Sequence, residues 1–254
     1  MELSFFMPLI AIIAVYFAIM VTVVQIKEDS SIANSVWSGG CLIIALYTFV
    51  MAGLYLERHV IITAMIVLWA TRLVLYVYLR YKGNDPRFQT WKQAGLSALI
   101  FNIAYIFGGQ AFLMTIMSIP TILINTSTVP GLNYLDYLGM GIWAVGYFFE
   151  AVSDYQLFAF MKDPANKGRV MRSGLWHYSR HPNYFGEVMM WWGIFLLALS
   201  VPFGIYSIIT PLTITVMLLF VTGIPWVEKA MDNNPEYQEY KSKTSAFFPW
   251  FPAE

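Results

Sequence analysis

Cysteine is almost absent from the chain. A single residue, Cys41, sits in an apolar run, so neither an internal disulfide nor a Cys-rich metal site can form. Charge is also scarce: 12% of the 254 residues are charged, about half the share of an ordinary soluble domain. Neither sign is in excess, since Lys+Arg and Asp+Glu both number 15. That leaves no net basic charge to hold nucleic acid and no acidic excess. His177 and His181 are four apart, but no helical His-Glu-x-x-His pattern or Cys pair accompanies them, and no metal is expected. Walker-type and Rossmann glycine patterns, a nucleophile-elbow serine, and the paired broken helices of a transporter are missing as well.

What the chain has in abundance is apolar residues, 58% of the total. They fall into runs close to the ~20 residues that cross a bilayer. The expected spans are 3–25, 34–56, 59–79, 93–122, 134–160, 184–200 and 203–227, and the first reads as a retained helix rather than a cleaved signal. The fourth is long for one crossing and is expected to tilt, extend or break near Gly108-Gly109. With seven spans, one side of the membrane receives Lys27; Arg80, Lys82, Arg87 and Lys92; Lys162, Lys167, Arg169, Arg172 and Arg180; and Lys229, Lys241 and Lys243. The other receives Arg58 alone. The positive-inside rule then sets the orientation. The expectation is an all-α integral membrane protein with seven transmembrane helices, its N-terminus outside and its C-terminus cytoplasmic. It forms one domain, 1–254, in a bacterial inner membrane or endoplasmic reticulum.

Polar chemistry concentrates in the expected cytoplasmic loop 161–183, the start of the sixth span and the tail 228–254. The loop interleaves Lys162, Lys167, Arg169, Arg172 and Arg180 with His177, Tyr178, His181, Asn183 and Tyr184, and Glu187 lies one turn into the following helix. Headgroup contact needs only the charges. Aromatic faces, amide donors and cations together suit a nucleotide with a ring and phosphates. In the fifth span Glu150 and Asp154 are spaced i, i+4 on one face, and carboxylates in a span usually face a cavity or a partner. The tail, with Glu228, Tyr237, Tyr240 and a closing Phe247-Phe248-Pro249-Trp250-Phe251-Pro252, either closes a cofactor pocket from below or anchors at the interface.

The run Trp176-His177-Tyr178-Ser179-Arg180-His181-Pro182-Asn183-Tyr184-Phe185-Gly186-Glu187 resembles the signature shared by membrane steroid 5α-reductases, sterol C14-reductases and isoprenylcysteine carboxyl methyltransferases. The resemblance extends to Ser153-Asp154-Tyr155, Glu228, Glu236-Tyr237-Gln238-Glu239-Tyr240 and Phe248-Pro249-Trp250-Phe251-Pro252, and to Arg80-Tyr81-Lys82-Gly83-Asn84-Asp85-Pro86-Arg87-Phe88, which is similar to the third-span exit of bacterial 5α-reductase-like proteins. It implies an NADPH-dependent reductase of an activated C=C bond in a lipid-soluble enone such as a 3-oxo-Δ4-steroid. By matching positions it implies that Asp154, Arg172, Tyr178, Arg180, His181, Asn183, Glu187, Glu228, Tyr237 and Tyr240 surround the cofactor. Lys162, Arg169 and His177 join them from the loop.

The proton donor is not carried over. Steroid reductases have a Gln-Glu pair early in the second span and a tyrosine in the third, where this chain reads Ile32-Ala33-Asn34-Ser35-Val36-Trp37 and Trp69. Asn34, Trp37 and Tyr76 are the candidate donors, with Arg72 four residues before Tyr76 on the same face. Two other functions compete. A membrane methyltransferase using S-adenosylmethionine shares the signature but has no phosphates to neutralise. A non-catalytic lipid-binding protein would hold no cofactor.

Overall fold

Apolar residues recurring over stretches of 17 to 29 residues leave the chain one way to satisfy its backbone in a lipid-rich setting, which is helix. The computed structural model describes residues 3–27, 33–80 and 108–253, and among these every regular element is helical, with no strand. The helices are α1 (Leu3–Lys27), α2 (Ala33–Ala52), α3 (Glu57–Arg80), α4 (Gly108–Asn125), α5 (Tyr134–Lys162), α6 (Pro182–Ala198), α7 (Ile209–Val216), α8 (Ile224–Met231) and α9 (Pro235–Lys243). Among the described residues, four stretches are long and apolar enough to cross a membrane: Ser4–Val23, Glu57–Leu79, Gly108–Asn125 and Gly204–Met231. They mark a multi-pass membrane protein. The Arg80–Phe88 motif, beyond the backbone of Arg80, and the first half of the expected fourth span, up to 107, lie outside the described residues.

The chain divides into two units, Met1–Leu132 and Asn133–Glu254. In the first, α1, α3 and α4 each pack on α2. Gly39 and Gly40 permit close approach on two sides: a Cβ at Gly39 would meet the Tyr16 hydroxyl at 2.4 Å, and one at Gly40 the Met114 sulfur at 2.2 Å. Tyr16 donates to the Val36 carbonyl at 2.8 Å and Tyr47 to that of Phe5 at 2.7 Å, which pins α1 along α2. Hydrogen bonds join the other helices where no water is at hand to compete. Asn125, fully buried, donates to the Ala45 carbonyl at 3.2 Å, to Thr48 at 3.0 Å and to Thr63 at 3.3 Å. Arg58, the lone cation expected on its side, is buried and clips the turn after α4 by donating to the carbonyls of Val129 at 3.1 Å and Gly131 at 2.7 Å.

In the second unit α5 and α6 form the main packed pair. Helix α5 starts in a reciprocal cap: Asn133 accepts from the Leu135 N–H at 2.8 Å while Asp136 accepts from the Asn133 N–H at 2.8 Å. The two helices then meet glycine to glycine. A Cβ at Gly139 would lie 2.5 Å from the Gly193 carbonyl, and one at Gly146 2.6 Å from that of Gly186. The seven-residue spacing on both helices keeps the small residues on one seam. The expected last span, 203–227, is not one continuous α-helix. It runs through a 3₁₀ turn (Gly204–Ile208), α7, a π turn (Met217–Val221) and then α8, with Gly223 and Pro225 standing at the break before α8.

Candidate functional site

The loop between α5 and α6 folds back onto the end of α5. Trp176 Nε1 donates to the Ser153 carbonyl at 3.0 Å and the Leu175 N–H donates to Gln156 at 3.0 Å. Gly174 makes this possible. Its φ of +63° favours glycine, and a Cβ there would strike the Gln156 amide at 2.4 Å. These contacts place the start of α6 against the Asp154 turn, where Asn183 donates to Asp154 at 3.3 Å. The Asn183 side-chain oxygen is buried and accepts no hydrogen bond. One turn further, Glu187 accepts from the Trp191 indole at 2.7 Å.

The centre of the site is Glu228. Its Oε1 accepts from Arg180 Nε at 2.9 Å and Nη2 at 2.7 Å and lies 3.4 Å from His181 Nε2, while its Oε2 pairs with Lys241 at 2.9 Å. Arg180 is itself buried. Its Nη1 donates to the Lys241 carbonyl at 2.9 Å and to that of Thr244 at 2.5 Å. Its backbone N–H donates to Ser245 O at 2.8 Å. Tyr240 donates to the carbonyls of Trp176 and Ser179. The Tyr237 hydroxyl is buried beside Arg180 and Glu228, and burial, then the nearby Glu228 charge, pushes its pKa up to about 12.

Arg172 lies outside this core, in ion pairs with Glu236 at 2.8 Å and Glu239 at 3.1 Å. The Glu236 hydrogen bond raises the Arg172 pKa, and the same contact lowers that of Glu236. Lys162, Lys167, Arg169 and His177 are exposed. His181 stacks on Tyr184 with ring centroids 5.2 Å apart.

Of the expected cofactor residues, the structure thus gathers Asp154, Asn183 and Glu187 near the start of α6, and Arg180, His181, Glu228, Tyr237 and Tyr240 where the tail meets the loop. Arg172 and Arg180, both expected around the cofactor, pair with carboxylates of the tail. The expected donor candidates lie in the first unit. Trp37 packs on Trp69 at 4.9 Å, Arg72 and Tyr76 are half-buried on α3, and Asn34 begins α2 with its side chain outside the described residues. Gln156, Ser179, Lys241 and Thr244 were missed by sequence reasoning. The available signal was only their closeness to the motif residues.

Residues 18–244 match the family described as "Protein of unknown function (DUF1295)". The chain belongs to the DUF1295 family, a steroid 5α-reductase-like family. Two curated relatives of this DUF1295 chain, the 3-oxo-5-alpha-steroid 4-dehydrogenase 1 of Homo sapiens and that of Macaca fascicularis, are each 34% identical to it over 74 residues. The matched segment covers 29% of this chain and 28% of each relative. No solved structure matches the chain.

Proposed function

We propose that this protein is a seven-span membrane reductase, N-terminus outside and C-terminus cytoplasmic, that uses NADPH to reduce an activated C=C bond in a lipid enone of the 3-oxo-steroid type. Family membership motivates the reading, together with the name of the curated relatives. The observation that carries it is the pairing of Asn183 with Asp154, which leaves a buried amide oxygen without a donor beside a carboxylate. Such a pair fits a carboxamide or a ribose hydroxyl, each of which offers a donor and an acceptor. The buried Tyr237 hydroxyl, beside Arg180 and Glu228, supplies a further polar contact. Lys162, Lys167 and Arg169 are the cations left to meet phosphates.

Bound NADPH would supply the hydride. The chain's own part is to orient the cofactor through Asp154 and Asn183, to hold the loop closed through Arg180 and Glu228, and to stabilise charge on the enone oxygen through a donor. Asn34, Trp37 and Tyr76 are the donor candidates, with Arg72 near Tyr76 in sequence. An apolar, water-poor setting strengthens each of these interactions.

A second reading is favoured by one observation. Because Arg172 and Arg180 are neutralised by carboxylates, the site's demand for phosphate is weaker than its sequence implies, and S-adenosylmethionine carries none. Thermal shift with NADPH, NADH and S-adenosylmethionine separates the two, since a ligand of the native state raises the melting temperature. NADPH should stabilise the wild type, and Asn183→Ala and Asp154→Asn should abolish the shift. Stabilisation by S-adenosylmethionine alone would replace the reductase with a methyltransferase.

A further inference from the structure

The last aromatic residues of the chain face outward on a backbone that is firmly held. Phe248, Trp250 and Phe251 are 68%, 72% and 75% exposed. Yet Ser179 Oγ donates to the Phe247 carbonyl at 2.9 Å, the Trp250 N–H to Tyr178 O at 2.9 Å, and the Ala253 N–H to Lys243 O at 2.8 Å. Three large rings fixed in water forgo the gain from burying apolar area. At a bilayer interface such rings are favoured.

The patch is continuous with the outer face of α5. Phe251 meets Tyr178 edge-on with centroids 5.7 Å apart, and Tyr178 lines a groove of about 520 Å³ whose apolar side is Phe148 and Val152 and whose polar side includes Gln156, Arg172 and His177. Phe148 and Tyr155, 53% and 71% exposed, share a stripe of α5 opposite the one that meets α6. Depth follows from helix geometry. With α5 as a span, the rise from the exposed Tyr134 to Val152 is about 27 Å, close to the ~30 Å hydrocarbon thickness. Exposed tyrosines Tyr134 and Tyr137 then mark one interface, and Tyr155, Tyr178 and the tail rings mark the other. Lys162, Lys167 and Arg169, a few turns on, fall on the aqueous side, where they complement anionic headgroups.

We infer that the tail 247–253 is a strap seated in the membrane interface. Its partner is the boundary between lipid headgroups and acyl chains, reached through Phe248, Trp250 and Phe251 and continued by the groove on α5. The strap's backbone latches the loop that carries Arg180, so lipid contact on its outer side holds the polar cluster at a fixed depth. The inference rests on the proposed seven-span reading, in which α5 is a span, since α5 is not among the four long apolar stretches.

The test uses the fact that the sole cysteine, Cys41, is 2% exposed, so an added cysteine takes a polar maleimide fluorophore selectively. Phe251→Cys and Lys167→Cys would be labelled and placed in phosphatidylcholine nanodiscs, with and without lipids brominated near the headgroup end of the acyl chain. Emission from position 251 should be blue-shifted and quenched severalfold more than that from position 167. Equal, water-like emission from the two overturns the seat. A Val145→Cys label separates the causes: quenching there by deep bromines with none at 251 sinks the seat alone, and quenching at neither sinks the α5 span as well.

Discussion

His181 is enclosed by Arg180, Glu228 and the ring of Tyr184. Burial lowers its pKa below the ordinary 6.5, the Glu228 hydrogen bond and charge push back, and the Arg180 charge adds to the lowering. The neutral imidazole is therefore the folded form. An unfolded chain takes up a proton near pH 6.5 that the folded chain resists, so this contribution is complete above that pH and is lost as pH falls below it. The melting temperature of the wild type should drop more steeply between about pH 7 and about pH 5 than that of His181→Gln. Parallel curves would assign the acid sensitivity elsewhere. The Arg172 pairs sit at the opposite extreme of burial. With side chains 37%, 30% and 58% exposed, they are worth at most about 1 kcal/mol.

The glycine seam between α5 and α6 sets the distance between these helices, and with it the reach from Asn183 to Asp154. A Cβ at Gly146 would stand 2.6 Å from the Gly186 carbonyl and 2.7 Å from the Met190 nitrogen, both backbone atoms that cannot rotate aside. Gly146→Val should destabilise by at least about 1–3 kcal/mol, read as a lower melting temperature, and should weaken any ligand held by Asn183. Gly141→Ala, with nothing within 4 Å of its Cβ on the same helix, should be neutral or slightly stabilising. A Gly146→Val protein as stable as the Gly141→Ala protein would mean that close approach at the seam does not govern the pair. The seven-residue glycine spacing on both helices stands in the sequence. Without the helix pairing it could not be told from glycines scattered through apolar spans.

At the scale of the whole molecule, each unit has its own polar interior: Thr48, Thr63 and Asn125 in the first, Arg180 and Glu228 in the second. Cys41 reports on the first. Buried, and bonded to Ser118 at 3.6 Å, it should react with a thiol-sensitive dye only as the protein melts, in a single sigmoidal step. Reaction well below the melting temperature measured by ligand-independent light scattering would show that the first unit opens by itself.

By itself the sequence determined the membrane setting and the place of several helices, because both follow from local composition. The expected 59–79 span lies within α3 at Glu57–Arg80, and the expected 134–160 span within α5 at Tyr134–Lys162. It also located the polar loop, since cations and aromatics crowd one short stretch. Only the tertiary structure decided what those charges do. The Arg180–Glu228 contact joins residues 48 apart in sequence and the Arg172–Glu239 contact residues 67 apart. A guanidinium that reads as a phosphate ligand becomes a latch once the tail folds beneath it, because its donors go to whichever acceptors the folded chain brings within reach.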